Sequence, residues 1–193
     1  MRIFVGLWVS VILAGFYVLM TYQSTPGEAA EVQPSWPATT ALEHQDNRLN
    51  LVMFVHPHCP CSTASMRELE RIMVRLRDRV FVQVVFVRPK GAPSQWSDTS
   101  LVASARAIPK AEIRMDLDSQ EAQRFGAMTS GHVYLYAADG ALLFSGGITS
   151  SRAHEGDNLG SLTIQNLGMG EKPHKASTPV YGCPLFDRTT KQI

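Results

Sequence analysis

Two cysteines separated by a single proline carry the chemistry that this sequence predicts. Cys59 and Cys61 lie in the segment His-Pro-His-Cys-Pro-Cys-Ser, residues 56–62, between an apolar run and an amphipathic stretch. At the start of a helix, free N–H groups and the helix dipole stabilise a thiolate and lower a cysteine pKa below about 8.5. Cys59 is therefore the candidate nucleophile. A bond between Cys59 and Cys61 closes a small, strained ring and is easily reduced, which suits thiol–disulfide exchange.

The neighbouring histidines add a second kind of chemistry. His56 and His58 flank the cysteines, and a protonated imidazole favours a thiolate whereas a neutral one can accept its proton. Thiolates with imidazoles also form a soft site for Cu(I) or Zn(II). His154, in the glycine-rich polar loop 145–158, is a distant candidate ligand. The alternatives are surface histidines, a solvated loop and cysteines that only fill the core.

A third cysteine lies far along the chain, and its partner is open at this point. Cys183 stands in the segment 178–185, Thr-Pro-Val-Tyr-Gly-Cys-Pro-Leu. It can resolve a mixed disulfide, or pair with one of the other two cysteines and staple the tail. A free thiol, an intermolecular bond and a buried apolar cysteine are the other interpretations.

Alternating strand and helix patterns must position these residues. Period and composition predict strands over 49–55, 80–87, 112–116, 133–136 and 142–144, and helices over 62–78, 99–107 and 119–125, with a weaker helix over 155–167. The last two strands flank an Ala-Asp-Gly turn and form a hairpin. The expected fold is an α/β mixed sheet, parallel in its first half and antiparallel at its end, with helices on both faces.

The amino-terminal region predicts a membrane anchor. No charged residue occurs from residue 3 to 27, and the apolar run 3–22 is about 30 Å long as a helix, enough to span a bilayer. Its length favours an anchor over a cleaved signal peptide. Arg2 precedes it and Glu28 and Glu31 follow it, which predicts a cytoplasmic amino terminus and a periplasmic or otherwise extracytoplasmic body.

The expected organisation has four parts and excludes several classes of function. Residues 1–22 form the anchor, 23–42 a flexible tether rich in proline, 43–170 the globular domain and 171–193 a tail. Basic and acidic residues number 18 and 17, a net charge of +1, so no attraction to nucleic acid is expected. The apolar content of 45% excludes disorder of the whole chain.

The sequence resembles the thioredoxin-like superfamily, in particular membrane-anchored, exported members of the RedB and TlpA type, over about residues 48–148. The matching features are the strand Leu-Val-Met-Phe-Val, the cysteine turn with its helix, the segment Phe-Gly-Ala-Met-Thr-Ser-Gly-His-Val-Tyr-Leu-Tyr, and the strand Leu-Leu-Phe-Ser-Gly-Gly. The resemblance implies a thioredoxin-like mixed sheet.

The family pattern also assigns roles to single positions. Cys59 takes the place of the nucleophilic first cysteine of Cys-x-x-Cys, and Ser62 falls where the second is expected. The loop that holds a cis-proline in the family matches Ser130 and Gly131, with glycine replacing the proline. Met53 stands where many members have a buried carboxylate.

The expected function is a membrane-tethered thiol–disulfide oxidoreductase that acts on thiol- or disulfide-bearing proteins, without a cofactor. One alternative is a chaperone for copper, similar to those that assemble respiratory oxidases, with Cys59, Cys61 and His154 as ligands. Another is a non-catalytic thioredoxin-like binding module.

Overall fold

A five-stranded mixed sheet organises the chain beyond its amino-terminal region. The computed structural model describes residues 2–28 and 31–186. The elements are α1 (Arg2–Ser24), β1 (Leu49–Val55), α2 (Ser62–Leu76), β2 (Val80–Arg88), α3 (Ser100–Ala107), β3 (Ala111–Leu117), α4 (Gln120–Phe125), β4 (His132–Tyr136), β5 (Leu142–Gly146) and α5 (Leu159–Met169). The strand order is β3-β2-β1-β4-β5, with β1, β2 and β3 parallel and β4 antiparallel to both neighbours. The mixed sheet and its terminal hairpin are thus confirmed.

The central strands are apolar on both sides because each side of the sheet is covered. Side chains alternate along a strand, so Leu51 and Met53 of β1 face the layer of α2, α3 and α5. Val52 and Phe54 face the opposite layer, which contains α4. Helices therefore lie on both faces, as the sequence predicts.

Helix α2 presents the cysteine turn to the end of the sheet. Its apolar stripe, with Leu69, Ile72 and Leu76 among its members, is buried against the sheet, as the helical period predicts. The following residue, Arg77, has φ 50° and ends the helix. Because β1 ends at residue 55 and α2 begins at residue 62, the turn 56–61 is held from both ends.

The last helix lies later in the chain than the sequence pattern predicts. The predicted range is 155–167, whereas α5 runs from Leu159 to Met169. Asn158 explains the shift, since its side chain accepts a 2.8 Å hydrogen bond from the Ser161 N–H and caps the helix there.

Residues 31–42 differ from the flexible tether that their composition predicts. The Trp36 N–H donates to the Gly140 carbonyl at 2.8 Å, and the Leu142 N–H donates to the Pro34 carbonyl at 3.0 Å. The Trp36 ring packs edge-on against two aromatic rings of the core. This segment therefore belongs to the folded domain, and α1 is the element that remains exposed along almost its whole length.

Candidate active site

The cysteine turn connects the carboxyl end of a buried parallel strand to the first turn of α2. The Cys59 N–H donates to the His56 carbonyl at 3.0 Å, and the Ser62 N–H donates to the Cys59 carbonyl at 3.2 Å. These bonds close two successive tight turns. Cys59 is 2% exposed and Cys61 is 8% exposed, so both thiols point away from solvent.

All three cysteines of the chain meet at this point. The Sγ atoms of Cys59, Cys61 and Cys183 lie within 4.8 Å of one another. The Sγ atoms of Cys59 and Cys183 are 2.9 Å apart, and the Cys183 N–H donates to the Cys59 sulfur at 3.4 Å. The structure therefore brings the late cysteine against the predicted nucleophile, and all three are free thiols.

The surroundings of the three thiols make Cys59 the one that ionises first. Burial raises the pKa of Cys59, but hydrogen bonds from Cys183 and Ser62 outweigh it and hold that pKa below its usual value. Burial, and then the charge of Cys59, raise the pKa of Cys61. Burial and contact with Cys59 raise the pKa of Cys183 to about 12. The hydrogen bonds thus favour Cys59 as the nucleophile, the same residue that its position at the start of a helix predicts.

A chain of polar groups supports the Cys59 sulfur from the sheet side. The His56 N–H donates to the Ser130 hydroxyl at 2.8 Å, and the Ser130 and Ser62 hydroxyl oxygens are 2.7 Å apart. Either hydroxyl can be the donor of this bond, and Ser62 also lowers the pKa of Cys59 through a hydrogen bond. Ser62 and Ser130 are buried, and both were predicted site residues.

The two histidines of the turn pack on a tryptophan and do not reach the thiols. The His58 ring lies 4.5 Å from the Trp96 ring, centroid to centroid, and the His56 ring lies 5.9 Å from it. Burial, with a smaller contribution from His58, lowers the pKa of His56, which favours its neutral form. Within the part of the chain that the structure describes, the metal-capable cluster around Cys59 contains no histidine. Sequence reasoning did not find Trp96, which has no motif to mark it.

Residues 177–186, called here the C-terminal strap, carry Cys183 across the site. The Ser130 N–H donates to the Cys183 carbonyl at 2.8 Å, and the Leu185 N–H donates to the Met128 carbonyl at 2.9 Å. Thr129 and Pro184 form an antiparallel bridge between these two bonds. The strap therefore pairs, as a short strand, with the loop that precedes β4.

Glycine allows the strap to approach this closely. A Cβ atom on Gly182 would lie 1.9 Å from the Ser130 carbonyl oxygen, and one on Gly147 would lie 2.6 Å from the Pro179 carbonyl oxygen. Gly147, directly after β5, thus serves as a contact surface for the strap.

The polar loop after β5 contributes an arginine to the site. The Arg152 guanidinium donates to the Gly182 carbonyl, and its hydrogen bond and charge favour the thiolate form of Cys61. His154, the predicted site residue of this loop, is exposed and lies outside the cysteine cluster. Glu155 pairs with Arg67 and with a second arginine of α2. The presence of a fixed cation in this loop was the signal for Arg152.

Comparison with known proteins identifies the fold. No protein-family model matches the chain, and no curated protein matches it. The chain is similar to an uncharacterised conserved protein of Geobacillus kaustophilus, with 16% identity and a TM-score of 0.61, over 87% of this chain and 95% of that one. It is similar to a hypothetical protein of Sinorhizobium meliloti, with 18% identity and a TM-score of 0.55, over 83% and 93%. A secreted Mycobacterium tuberculosis disulfide oxidoreductase, homologous to E. coli DsbE, matches with 19% identity and a TM-score of 0.41, over 51% and 67%.

The strand order and the position of the cysteine turn between β1 and α2 agree with the resemblance seen in the sequence, and the Geobacillus and Sinorhizobium proteins share the fold over more than four fifths of this chain. The chain has a thioredoxin-like fold. Its details depart from the thioredoxin-like pattern at three positions.

Each departure from the thioredoxin-like pattern has a local physical explanation. Gly131 replaces the loop proline because it has φ 91° and its N–H donates to the Phe54 carbonyl at 2.8 Å. Proline has neither that φ nor an N–H group. Met53, in place of a carboxylate, is fully buried in the apolar layer under α2. Ser62, in place of the second cysteine, donates to Cys59 and cannot form a bond with it.

Proposed function

We propose that this chain is a membrane-tethered thiol–disulfide oxidoreductase that uses its Cys-Pro-Cys turn on the extracytoplasmic side. The observation that supports the proposal is the convergence of the Cys59, Cys61 and Cys183 sulfurs within 4.8 Å at the start of α2. A nucleophilic thiolate with a second thiol in reach is what exchange chemistry requires.

The proposed reaction has two displacement steps. The Cys59 thiolate attacks one sulfur of a substrate disulfide, a new bond forms between Cys59 and the substrate, and the other substrate sulfur leaves as a thiolate. Cys61 then attacks the Cys59 sulfur, so that the Cys59–Cys61 bond forms and the second substrate thiolate is released. Two electrons pass from the protein to the substrate, and the reverse sequence oxidises a partner.

The proposed substrate class is a protein that carries a thiol or a disulfide, because the cavity next to the strap is open to solvent. An open cavity of about 630 Å³ adjoins the site, with Gly27, Met128, Thr129 and Leu185 among its lining residues. This open surface next to the strap has room for an extended segment of a partner protein.

Helix α1 supplies the proposed tether. The helical segment Ile3–Ser24 is long and apolar enough to cross a membrane, and none of its most apolar stretch is buried against the rest of the described chain. The positive charge of Arg2 before the helix, with Glu28 and Glu31 after it, supports an orientation that exposes the domain outside the cytoplasm. An anchor of this kind restricts the search for partners to the membrane surface.

Trapping of the mixed disulfide tests the proposal. Full-length protein in detergent is reduced, desalted and mixed with a disulfide-bearing protein or with glutathione disulfide. We expect the double variant Cys61→Ser/Cys183→Ser to accumulate more mixed disulfide at Cys59 than the unchanged protein does, because both thiols that can resolve it are removed. The Cys59→Ser variant is the matched control and should trap nothing. Equal adduct on Cys59→Ser, or no adduct on any variant, contradicts the proposal.

A second candidate function is delivery of Cu(I), and the same cluster favours it. Three soft sulfur donors within 4.8 Å fit a trigonal Cu(I) ion as cargo. The third donor is then Cys183 and not the His154 that the sequence indicates. Competition for Cu(I) with a chromophoric chelator distinguishes the two functions. Copper binding that is lost in Cys61→Ser/Cys183→Ser, without any trapping of protein adducts at Cys59, favours the chaperone.

A further inference from the structure

The C-terminal strap holds Cys183 close to Cys59, although exchange through the Cys-Pro-Cys turn does not need Cys183. The two Sγ atoms are 2.9 Å apart, and a disulfide has a sulfur separation of about 2.05 Å, so a shift of less than about 1 Å joins them. The contact is held by backbone pairing on both sides of Cys183, through Ser130 and Met128. The approach is therefore built into the fold of the strap.

The alternative bond within the turn is less favourable. A Cys59–Cys61 disulfide closes a ring through Pro60 alone, and Cys61 has φ −63° and ψ −30° at the start of α2. The helix fixes one end of this ring and the two tight turns fix the other. A disulfide to a separate segment carries no such restriction, since the strap can adjust its own position.

We infer that Cys183 is a third redox-active cysteine, an inference that rests on the proposed function. Cys183 displaces Cys61 from its disulfide with Cys59, and the resulting Cys59–Cys183 disulfide locks the strap across the site. The step moves a bond and needs no further oxidant. The Cys183 sulfur attacks Cys59, the Cys59–Cys183 bond forms, and the Cys59–Cys61 bond breaks. Cys61 leaves with the electron pair and takes the proton that Cys183 has lost.

Arg152 is placed to assist this step. Its guanidinium donates to the Gly182 carbonyl, next to Cys183 in the strap, and favours the thiolate of Cys61 through a hydrogen bond and its charge. Its charge also opposes part of the rise in the pKa of Cys183. The charge of Cys59, which raises the pKa values of both other thiols, is absent while Cys59 is in a disulfide. One cation therefore holds the strap in place and stabilises the leaving group.

The locked form regulates access to the nucleophile. With the strap in place Cys59 is only 2% exposed, so a partner protein reaches it after the strap has moved. After reduction of the Cys59–Cys183 bond the strap is held by non-covalent contacts alone and can open for a partner, and transfer of the bond to Cys183 locks it again. The reactive sulfur is thereby protected between encounters.

Peptide mapping of the full-length protein locates the bond. After oxidation in dithiothreitol buffers and alkylation, trypsin releases Cys59 and Cys61 together in the peptide 49–67 and Cys183 in the peptide 176–188. We expect the two peptides to be cross-linked in the unchanged protein and in Cys61→Ser, but not in Cys59→Ser. An internal bond within 49–67 and an alkylated Cys183 overturn the inference and leave the proposed function intact.

The same titration supplies an independent number. Let K be the ratio of Cys59–Cys183 to Cys59–Cys61 bonds in the oxidised, unchanged protein. The midpoint of Cys59 oxidation is the ratio of reduced to oxidised dithiothreitol at which half of Cys59 is in a disulfide. Cys183→Ser must change this ratio by the factor 1 + K. We expect K of about 10 or more, because ring closure disfavours the bond within the turn. An unshifted midpoint contradicts the inference.

Gly182→Ala tests the strap without removing a thiol. Its Cβ would lie 1.9 Å from the Ser130 carbonyl oxygen, so the strap must move away and the cross-link should give way to the bond within 49–67. Ser177→Ala, an exposed position of the same strap, should keep the cross-link. Failure of Cys59 to form any bond or to exchange with glutathione disulfide would refute the proposed function itself.

Discussion

Removal of the Ser62 hydroxyl is expected to raise the pKa of Cys59 by about one unit. Ser62 is 1% exposed and donates to the Cys59 sulfur through its side chain and its backbone N–H. A hydrogen bond to a charged group contributes about 1.5–3 kcal/mol, and one pKa unit corresponds to about 1.36 kcal/mol. Since Ser62→Ala keeps the backbone bond, the lower end of this range applies.

The pH dependence of alkylation measures this change. Reduced Cys61→Ser protein, with and without Ser62→Ala, is treated with iodoacetamide between about pH 5 and 10, a range that brackets the free cysteine pKa. The midpoint of the rate at Cys59 gives the pKa. The absolute rate is a poorer measure, because a thiolate of higher pKa is also more nucleophilic and because strap opening limits access equally in both proteins.

Thr63 provides the matched control. It is the next residue of α2 and is exposed, so Thr63→Ala removes a hydroxyl without touching the Cys59 sulfur. We expect its midpoint to equal that of the parent protein. A midpoint that does not move in Ser62→Ala, or that moves equally in Thr63→Ala, refutes the assignment of Ser62 as a support of the thiolate.

Three further changes test the fold around the site. Trp36→Ala should lower the free energy of unfolding by about 3 kcal/mol in urea, because a large ring packed on the core is lost; a change below about 0.5 kcal/mol is typical of a surface substitution and would return residues 31–42 to the role of a tether. Gly131→Pro should destabilise the protein by about 3 kcal/mol or more, since it removes a hydrogen bond and imposes φ near −65°; tolerance would contradict the account of the missing proline. Burial lowers the pKa of His132 to about 4, so stability should fall by about 3 kcal/mol as pH decreases from about 6.5 to 4, because the unfolded chain binds the proton first. His132→Gln should remove that part of the pH dependence, and an unchanged difference between the two proteins would contradict it.

Local patterns were enough to predict the sheet and the position of the nucleophile. The apolar runs that became β1 and β2 have strand length and β-branched content, and the helical stripe of α2 begins directly after Cys61. Each of these patterns extends over fewer than about 20 residues, a range over which period and composition indicate secondary structure. The turn between β1 and α2 therefore predicts that Cys59 lies at a helix start.

Contacts between distant segments were not predictable in the same way. The Gly182 carbonyl and Arg152 are 30 residues apart, and Trp36 packs on a ring 89 residues further along the chain (125 − 36). Proline-rich composition indicates an extended segment, but it does not tell whether that segment packs against the folded domain. The distance between Cys59 and Cys183, 124 residues along the chain, likewise left the pairing of the late cysteine open.

The replacement of the family's second cysteine by Ser62 connects these observations. A cysteine at that position competes for a bond with Cys59, whereas Ser62 only donates a hydrogen bond to it. Ser62 thus stabilises the Cys59 thiolate without forming a disulfide with it. Cys61 and Cys183 remain as the two cysteines that can form that disulfide. One partner is fixed by the turn and the other by a strap that can move. The redox state of Cys59 and the opening of the site are then coupled, because the bond that oxidises the nucleophile also locks the strap in its closed position.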